Sequence, residues 1–252
     1  MTASKNDFFI SANSVYNISD EEYERVELLI NAAKAFARAT HQCVYIIDYF
    51  RKGFLYVSDN VEMLCGEPVE KVREFGYDLY LKHVPEEELQ MLLEINREGF
   101  NMANAIEPEE KVHYTISYDF HLVNGKKKQL INHTLTPMMM TRDGRIWLAL
   151  CTIAPSTKNK PGNVVLKKDG ENWCYTYSLE THQWGREEAV TLTETERDIL
   201  RLSSQGYTMD EIATMLCKSI DTIKTYKKRL FAKLEVRSIA EALSYATNYK
   251  LI

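Results

Sequence analysis

No apolar run in this chain approaches the roughly 18 residues that a membrane-spanning helix needs. The longest, residues 147–154, has the length of a strand. Residues 1–14 lack a basic stretch followed by an apolar core, so no secretory leader and no membrane partner are expected, and the protein is expected to be cytoplasmic. The five cysteines (Cys43, Cys65, Cys151, Cys174, Cys217) are odd in number and contain no C-x-x-C pair. That spacing supports neither a disulfide framework nor a zinc site, and leaves free, mostly buried thiols in a reducing compartment. Internal repeats and low-complexity segments are missing. So is a catalytic constellation: Asp48 and Asp59 could be cast as an acid pair, yet no nucleophile or metal box accompanies them. An enzyme is not expected, no metal site is expected, and no cofactor is evident.

What is present is ordinary for a soluble globular protein. The 252 residues leave room for one or two domains, with 45% hydrophobic and 27% charged residues. The formal net charge of −5 argues against nucleic acid only if charge is spread evenly, and it is not. Between residues 219 and 237 stand Lys224, Lys227, Lys228, Arg229, Lys233 and Arg237 against Asp221 and Glu235, a local balance of +4. Phosphate responds to the local field, so this segment outweighs the total.

The first eighteen residues are irregular. Ser19 followed three positions later by Glu22 is a capping-box pattern, and Tyr23, Val26, Ile30, Ala33 and Ala37 continue at helical spacing to about Arg38. Residues 42–48 and 54–57 read as strands joined by a turn at Arg51-Lys52-Gly53. A broken helical stretch follows, with a short piece near 61–64 and a stronger helix from Pro85, where proline and Glu86, Glu87 and Glu88 suit a helix start. Tyr114, Ile116, Tyr118, Phe120 and Leu122 then alternate with Thr115, Ser117, Asp119 and His121, which predicts a half-buried strand. Asn124-Gly125 turns it into a second strand over 129–137, and Asp143-Gly144 into a third over 145–153, apolar on both faces. After a polar break at 155–162, Asp169-Gly170 lies between two short β runs, and 183–190 reads as a linker.

From Thr191 the pattern is all helical. Thr193 and Glu196 form a second capping box, and Ile199, Leu200 and Leu202 an apolar side; Gly206 stands where a left-handed helix end is wanted. Thr208 caps a short helix carrying Ile212, Ala213 and Leu216, and Ser219 caps a longer one whose apolar positions are Ile223, Tyr226, Leu230 and Leu234. A last helix runs over about 238–248. Two short helices, a tight turn and a longer basic helix make a helix-turn-helix layout. With Ile223, Tyr226 and Leu230 inward, Lys224, Thr225, Lys227 and Lys228 must point outward.

The motifs L-T-x-x-E-R-x-I-L-x-L (from Leu192), G-x-T-x-x-E-I-A-x-x-L (from Gly206), S-x-x-T-I-K-T-Y (from Ser219) and K-L-x-V-R-S (from Lys233) fall in register without a gap. This stretch resembles the LuxR/FixJ-type DNA-binding domain. The resemblance implies base-edge contacts from Lys224, Thr225 and Lys228 and a phosphate contact from Thr222; Lys227 completes the DNA-binding set as a sequence-independent contact. Two positions depart from the family pattern: Tyr226 replaces a histidine, and Cys217 a glycine before the third helix.

Residues 42–155 resemble a PAS domain in element order and at Tyr45-Ile46-Ile47-Asp48, the 54–60 run leading to Leu64-Cys65-Gly66, and His83-Val84-Pro85-Glu86-Glu87. Such a domain implies a sensed ligand, cofactor or partner without naming one. Cys65 lacks the asparagine-cysteine-arginine context of a flavin photosensor. His83 reads as ordering a turn rather than holding haem, and His113, His121 and His133 as strand residues with surface or packing roles. A phosphate-receiver domain is excluded by the antiparallel hairpins. An acyl-homoserine-lactone receptor stays in view, although its tryptophan-rich pocket is not apparent, since Trp147, Trp173 and Trp184 all fall late.

The expected fold class is therefore α+β: an N-terminal PAS-like antiparallel sheet with helices, followed by an all-α four-helix domain. The expected divisions are a capping segment (1–40), a PAS-like sensor (41–155), a linker with a β-hairpin (156–190) and the helix-turn-helix domain (191–252). The expected function is sequence-specific transcription regulation on double-stranded DNA by a homodimer, the last helix and the 19–38 helix being candidate pairing faces. RNA polymerase and a small-molecule ligand of the PAS-like domain are further candidate partners. The alternative is a signalling adaptor that uses the helical domain for protein contacts.

Overall fold

In a computed structural model of the chain, residues 3–60, 64–249 and 251–252 are described. They form two compact units, Met1–Glu187 and Glu188–Ile252. The short helical piece expected near 61–64 falls largely outside the described residues.

In the first unit, α1 (Asp20–Thr40) starts where its capping box is, with the Ser19 hydroxyl accepting from the Glu22 N–H and the Glu22 carboxylate from the Ser19 N–H. It rests on β1 (Cys43–Asp48) through Val26, Ala33 and Ala37. The turn from β1 into β2 (Gly53–Val57) is held by Asp48, whose buried carboxylate accepts from the Phe50 and Arg51 N–H groups and the Tyr23 hydroxyl. Asp48 is thus occupied structurally, while Asp59 is exposed; they form no acid pair. Three helices follow: α2 (Val69–Phe75), α3 (Asp78–His83) and α4 (Glu86–Asn104), the last entered through Pro85.

The meander is β3 (Tyr114–Asn124), β4 (Lys127–Met140) and β5 (Ile146–Pro155). β5 runs antiparallel to both β4 and β1, and this placement buries it on both faces. Pro137 lies in β4 beyond the end of the β3 pairing at Leu135 and beside a register shift in the β5 pairing, positions where a strand admits proline. The strand order β2-β1-β5-β4-β3 agrees with the element order the PAS resemblance implies.

Two features differ from expectation. The sheet continues past β3 with β6 (Gly162–Lys168), β7 (Trp173–Ser178) and β8 (Gln183–Glu188), giving eight strands in the order β2-β1-β5-β4-β3-β6-β7-β8. The stretch read as a linker from 183 is therefore mostly an edge strand. Its almost wholly exposed sequence QWGREE has no apolar face to reveal it, and it is a strand because β7 offers it an unpaired ladder. The polar face of β3 is also not open: Asp119 is fully buried, accepting from Asn132 Nδ2 at 2.9 Å and Asn163 Nδ2 at 2.8 Å. Burial pushes its pKa up, against those same hydrogen bonds.

The second unit holds α5 (Glu194–Ser204), α6 (Met209–Met215), α7 (Ile220–Leu234) and α8 (Ile239–Asn248). Leu200, Leu230, Leu234, Ala242 and Ala246 make one core; Ile199, Leu202, Ile212, Ala213 and Ile223 make another between α5, α6 and α7.

Candidate nucleic-acid interface

α6, its turn and α7 form the helix-turn-helix. The turn is set by Cys217 in the left-handed region (φ 51°), with the Lys218 N–H donating to the Ala213 carbonyl and the Cys217 N–H to that of Thr214. This is the Schellman arrangement that glycine usually serves, and here a cysteine adopts it. α7 then begins at Ser219, whose hydroxyl takes the Thr222 N–H at 3.2 Å.

Ile223 and Leu230 are fully buried, and this fixes the outward face. Lys224, Thr225 and Lys228 are exposed on it, and Thr222 and Lys227 are half-buried at its margins. Lys224 and Lys228 lie one turn apart. Lys224 Nζ sits 3.3 Å from Asp221 Oδ1, a solvent-exposed contact worth little that can be exchanged for phosphate or a base. The Thr225 hydroxyl donates to the Asp221 carbonyl, leaving its lone pairs outward. Lys227 Nζ lies 5.6 Å from the Phe231 ring, which props its alkyl stem.

The basic segment does not act as one patch. Lys233 reaches back to α5, where its Nζ is 2.8 Å from Glu196 Oε2. Burial works against that carboxylate, but Lys233 and the Thr193 N–H hold its pKa below the ordinary value. Lys233 is thus a structural tie between α7 and the capping box of α5. Sequence reasoning missed Lys218: it stands in the turn directly before α7, with its Nζ 5.7 Å from the Tyr226 ring, on the approach to the exposed lysines. Its position immediately ahead of the Ser219 cap was the available signal.

In the sheet unit three histidines, His83, His121 and His133, are held by protein partners. His83 Nδ1 lies 2.8 Å from the Val123 carbonyl and ties α3 to β3. His121 is clamped by Glu88, which takes both its ring Nδ1 and its backbone N–H at 2.7 Å. His113 precedes β3 in a 3-10 turn rather than lying on the strand. His133 is fully enclosed, with its Nε2 2.6 Å from the Tyr45 hydroxyl, which in turn meets that of Tyr80 at 2.5 Å. Among the described residues no three His, Cys, Asp or Glu side chains gather as a metal site, and no helix is long and apolar enough to cross a membrane. A cavity lies among Tyr49, Tyr77, Tyr80, Tyr118 and Phe120. A second one adjoins it through Asn96, Tyr118 and Leu135.

Residues 190–246 match the family model of bacterial regulatory proteins of the luxR family. The transcriptional activator protein BglJ of Escherichia coli (strain K12) is 43% identical over 65 residues, 26% of this chain and 29% of that protein. The response regulator protein VraR of Staphylococcus aureus is 41% identical over 61 residues, 24% of this chain and 29% of its own length. The chain thus spans less than a third of either relative. Among solved structures, the phage VqmA–DPO complex is a distant likeness: 16% identical, with 92% of this chain and 94% of that chain covered and a TM-score of 0.32. The C-terminal unit, with its capped helices, its turn and its basic third helix, is a helix-turn-helix domain of the LuxR family.

Proposed function

We propose that this chain is a transcription regulator that binds double-stranded DNA in a sequence-specific manner through α7 and adjusts that binding to a small molecule held by its sheet unit. The observation that carries the reading is the exposed face of α7, where Lys224, Thr225 and Lys228 project from a helix fixed by buried Ile223 and Leu230. In this reading Lys224, Thr225 and Lys228 meet base edges in the major groove, while Thr222 and Lys227 hold phosphates. Residues 191–252 read DNA and 41–155 sense, with 1–40 and 156–190 as extensions of the sensing body.

The active species is a homodimer on a pseudo-palindromic site, with its two α7 helices roughly 34 Å apart. α8 is the pairing face of the helical unit. In the sheet unit it is α1, where exposed Leu28 and Phe36 support the choice. The regulator works in the cytoplasm without catalysing a reaction, and RNA polymerase is its partner at the promoter.

The test is binding to random and to genome-selected duplexes across a salt series. The native chain should lose affinity linearly in log salt, and the Lys224→Ala/Lys227→Ala/Lys228→Ala variant should lose up to about 0.9 of slope per phosphate contact removed. Unchanged binding by that variant would remove α7 from the interface. A native chain with no salt slope would mean the helical unit serves protein contacts instead.

A further inference from the structure

We propose that the apolar cavity under α4 in the sheet unit binds a small apolar monocarboxylate, with the carboxylate paired to Lys111. This names the ligand class for the sensing role proposed above and rests on that role only for its regulatory meaning.

The cavity lies between α4 and strands β3 to β6. At Gly99 α4 comes close to β3, where a Cβ would stand 3.0 Å from Ile116 Cδ1. Beyond that contact the walls are almost wholly hydrocarbon and ring, including Phe100, Ala103, Tyr114, Ile116 and Leu166.

One cation lines it. Lys111 is 5% exposed, and its Nζ donates to the Gly144 carbonyl at 2.7 Å. An ammonium has three donors, and this is the single hydrogen bond it makes among the described residues. No carboxylate described here comes within ion-pair distance of it. Burial, then the nearby Arg145, pull its pKa down, while Asp143 and Glu107 act in the other direction. Its acceptor cannot swing away to relieve it. Gly144 holds φ 75° in the 141–144 turn, and a Cβ there would stand 2.6 Å from Pro108 Cγ.

A buried charge without a counter-ion is costly. An anion arriving from the cavity side would neutralise it and fill its remaining donors. The charge count selects the class. With one lysine and no arginine in the lining, a phosphate dianion would be under-neutralised, whereas a carboxylate matches one for one. The hydrocarbon walls then ask for a ring or short chain behind that carboxylate. Asn96, whose amide nitrogen already donates to the Phe8 carbonyl at 2.8 Å, and the Tyr118 ring mark the far side.

The test uses the full chain with benzoate, phenylacetate and hexanoate, each against its own amide, in calorimetric titration and thermal unfolding. The native protein should bind at least one acid and raise its unfolding midpoint, with the matching amide at least tenfold weaker. Lys111→Met should abolish the preference for acid over amide. Ala103→Phe, which fills the cavity, should lose both ligands while keeping the native far-UV spectrum. Binding of none of the acids, equal binding of acid and amide, or undiminished acid binding by Lys111→Met would each overturn the proposal. The acid–amide comparison on native protein needs no variant to fold. Because the readout is independent of DNA, its failure leaves duplex binding untouched, and a failure to bind duplex leaves the acid titration standing.

Discussion

His133 is 1% exposed, and burial pulls its pKa from 6.5 to about 3. The folded protein therefore keeps this imidazole neutral at pH values where the unfolded chain protonates it. Stability from this group is complete above pH 6.5 and is lost progressively as pH falls from 6.5 towards 3, on the order of 5 kcal/mol over the whole span. Urea midpoints of the sheet unit should fall between pH 7 and pH 4.5, and His133→Gln, which keeps a polar partner for Tyr45, should flatten that fall. A midpoint independent of pH in the native chain would contradict it. Nothing in the sequence separates this histidine from His113 or His121: all three lie in or beside the same meander, and only the packing of Tyr45, Tyr80 and Tyr118 encloses one of them. Lys111 is hidden for the same reason, since a lysine next to two glutamates reads as solvated surface until α4 closes over it.

At the scale of elements, the helical unit was legible almost throughout, because its signals are local. Thr193 with Glu196, Thr208 with Glu211, Ser219, and Ser238 with Glu241 each bond where their spacing says they should. The helix ends were only partly legible. α5, α6 and α7 all stop on the same left-handed motif, but with Gly206 (φ 87°), Cys217 (φ 51°) and Glu235 (φ 55°) respectively. Only the first is a residue type that announces it. A side chain in that region costs about 1–2 kcal/mol, part of which glycine returns as unfolded-state entropy. Cys217→Gly and Glu235→Gly should therefore each stabilise the helical unit by about 0.5–1 kcal/mol, and Gly206→Ala should destabilise it by about 1 kcal/mol, in chemical denaturation. Destabilisation by Cys217→Gly as well as by Gly206→Ala would mean the two turns are not equivalent. The extension β6 to β8 lies at the other extreme: Asp169-Gly170 marked its first hairpin, while β8 carried no alternation to read.

Taken as a whole molecule, the eight-stranded sheet has two lateral margins, and they are finished differently. Beside β2 packs α2, which shields that flank. The other margin, β8, carries Arg186, Glu187 and Glu188, with the Arg186 guanidinium 4.1 Å from the Trp173 ring. An uncovered strand offers its free amide and carbonyl row to any extended chain that meets it, and charge is the usual deterrent. Swapping Arg186, Glu187 and Glu188 for valine should turn this margin into a growing point. Light scattering should then climb with concentration and keep climbing, as open-ended stacking does and a closed dimer does not. That climb would identify the short charged stretch ahead of the helices as the gatekeeper that keeps one molecule's sheet from becoming the seed of a fibre.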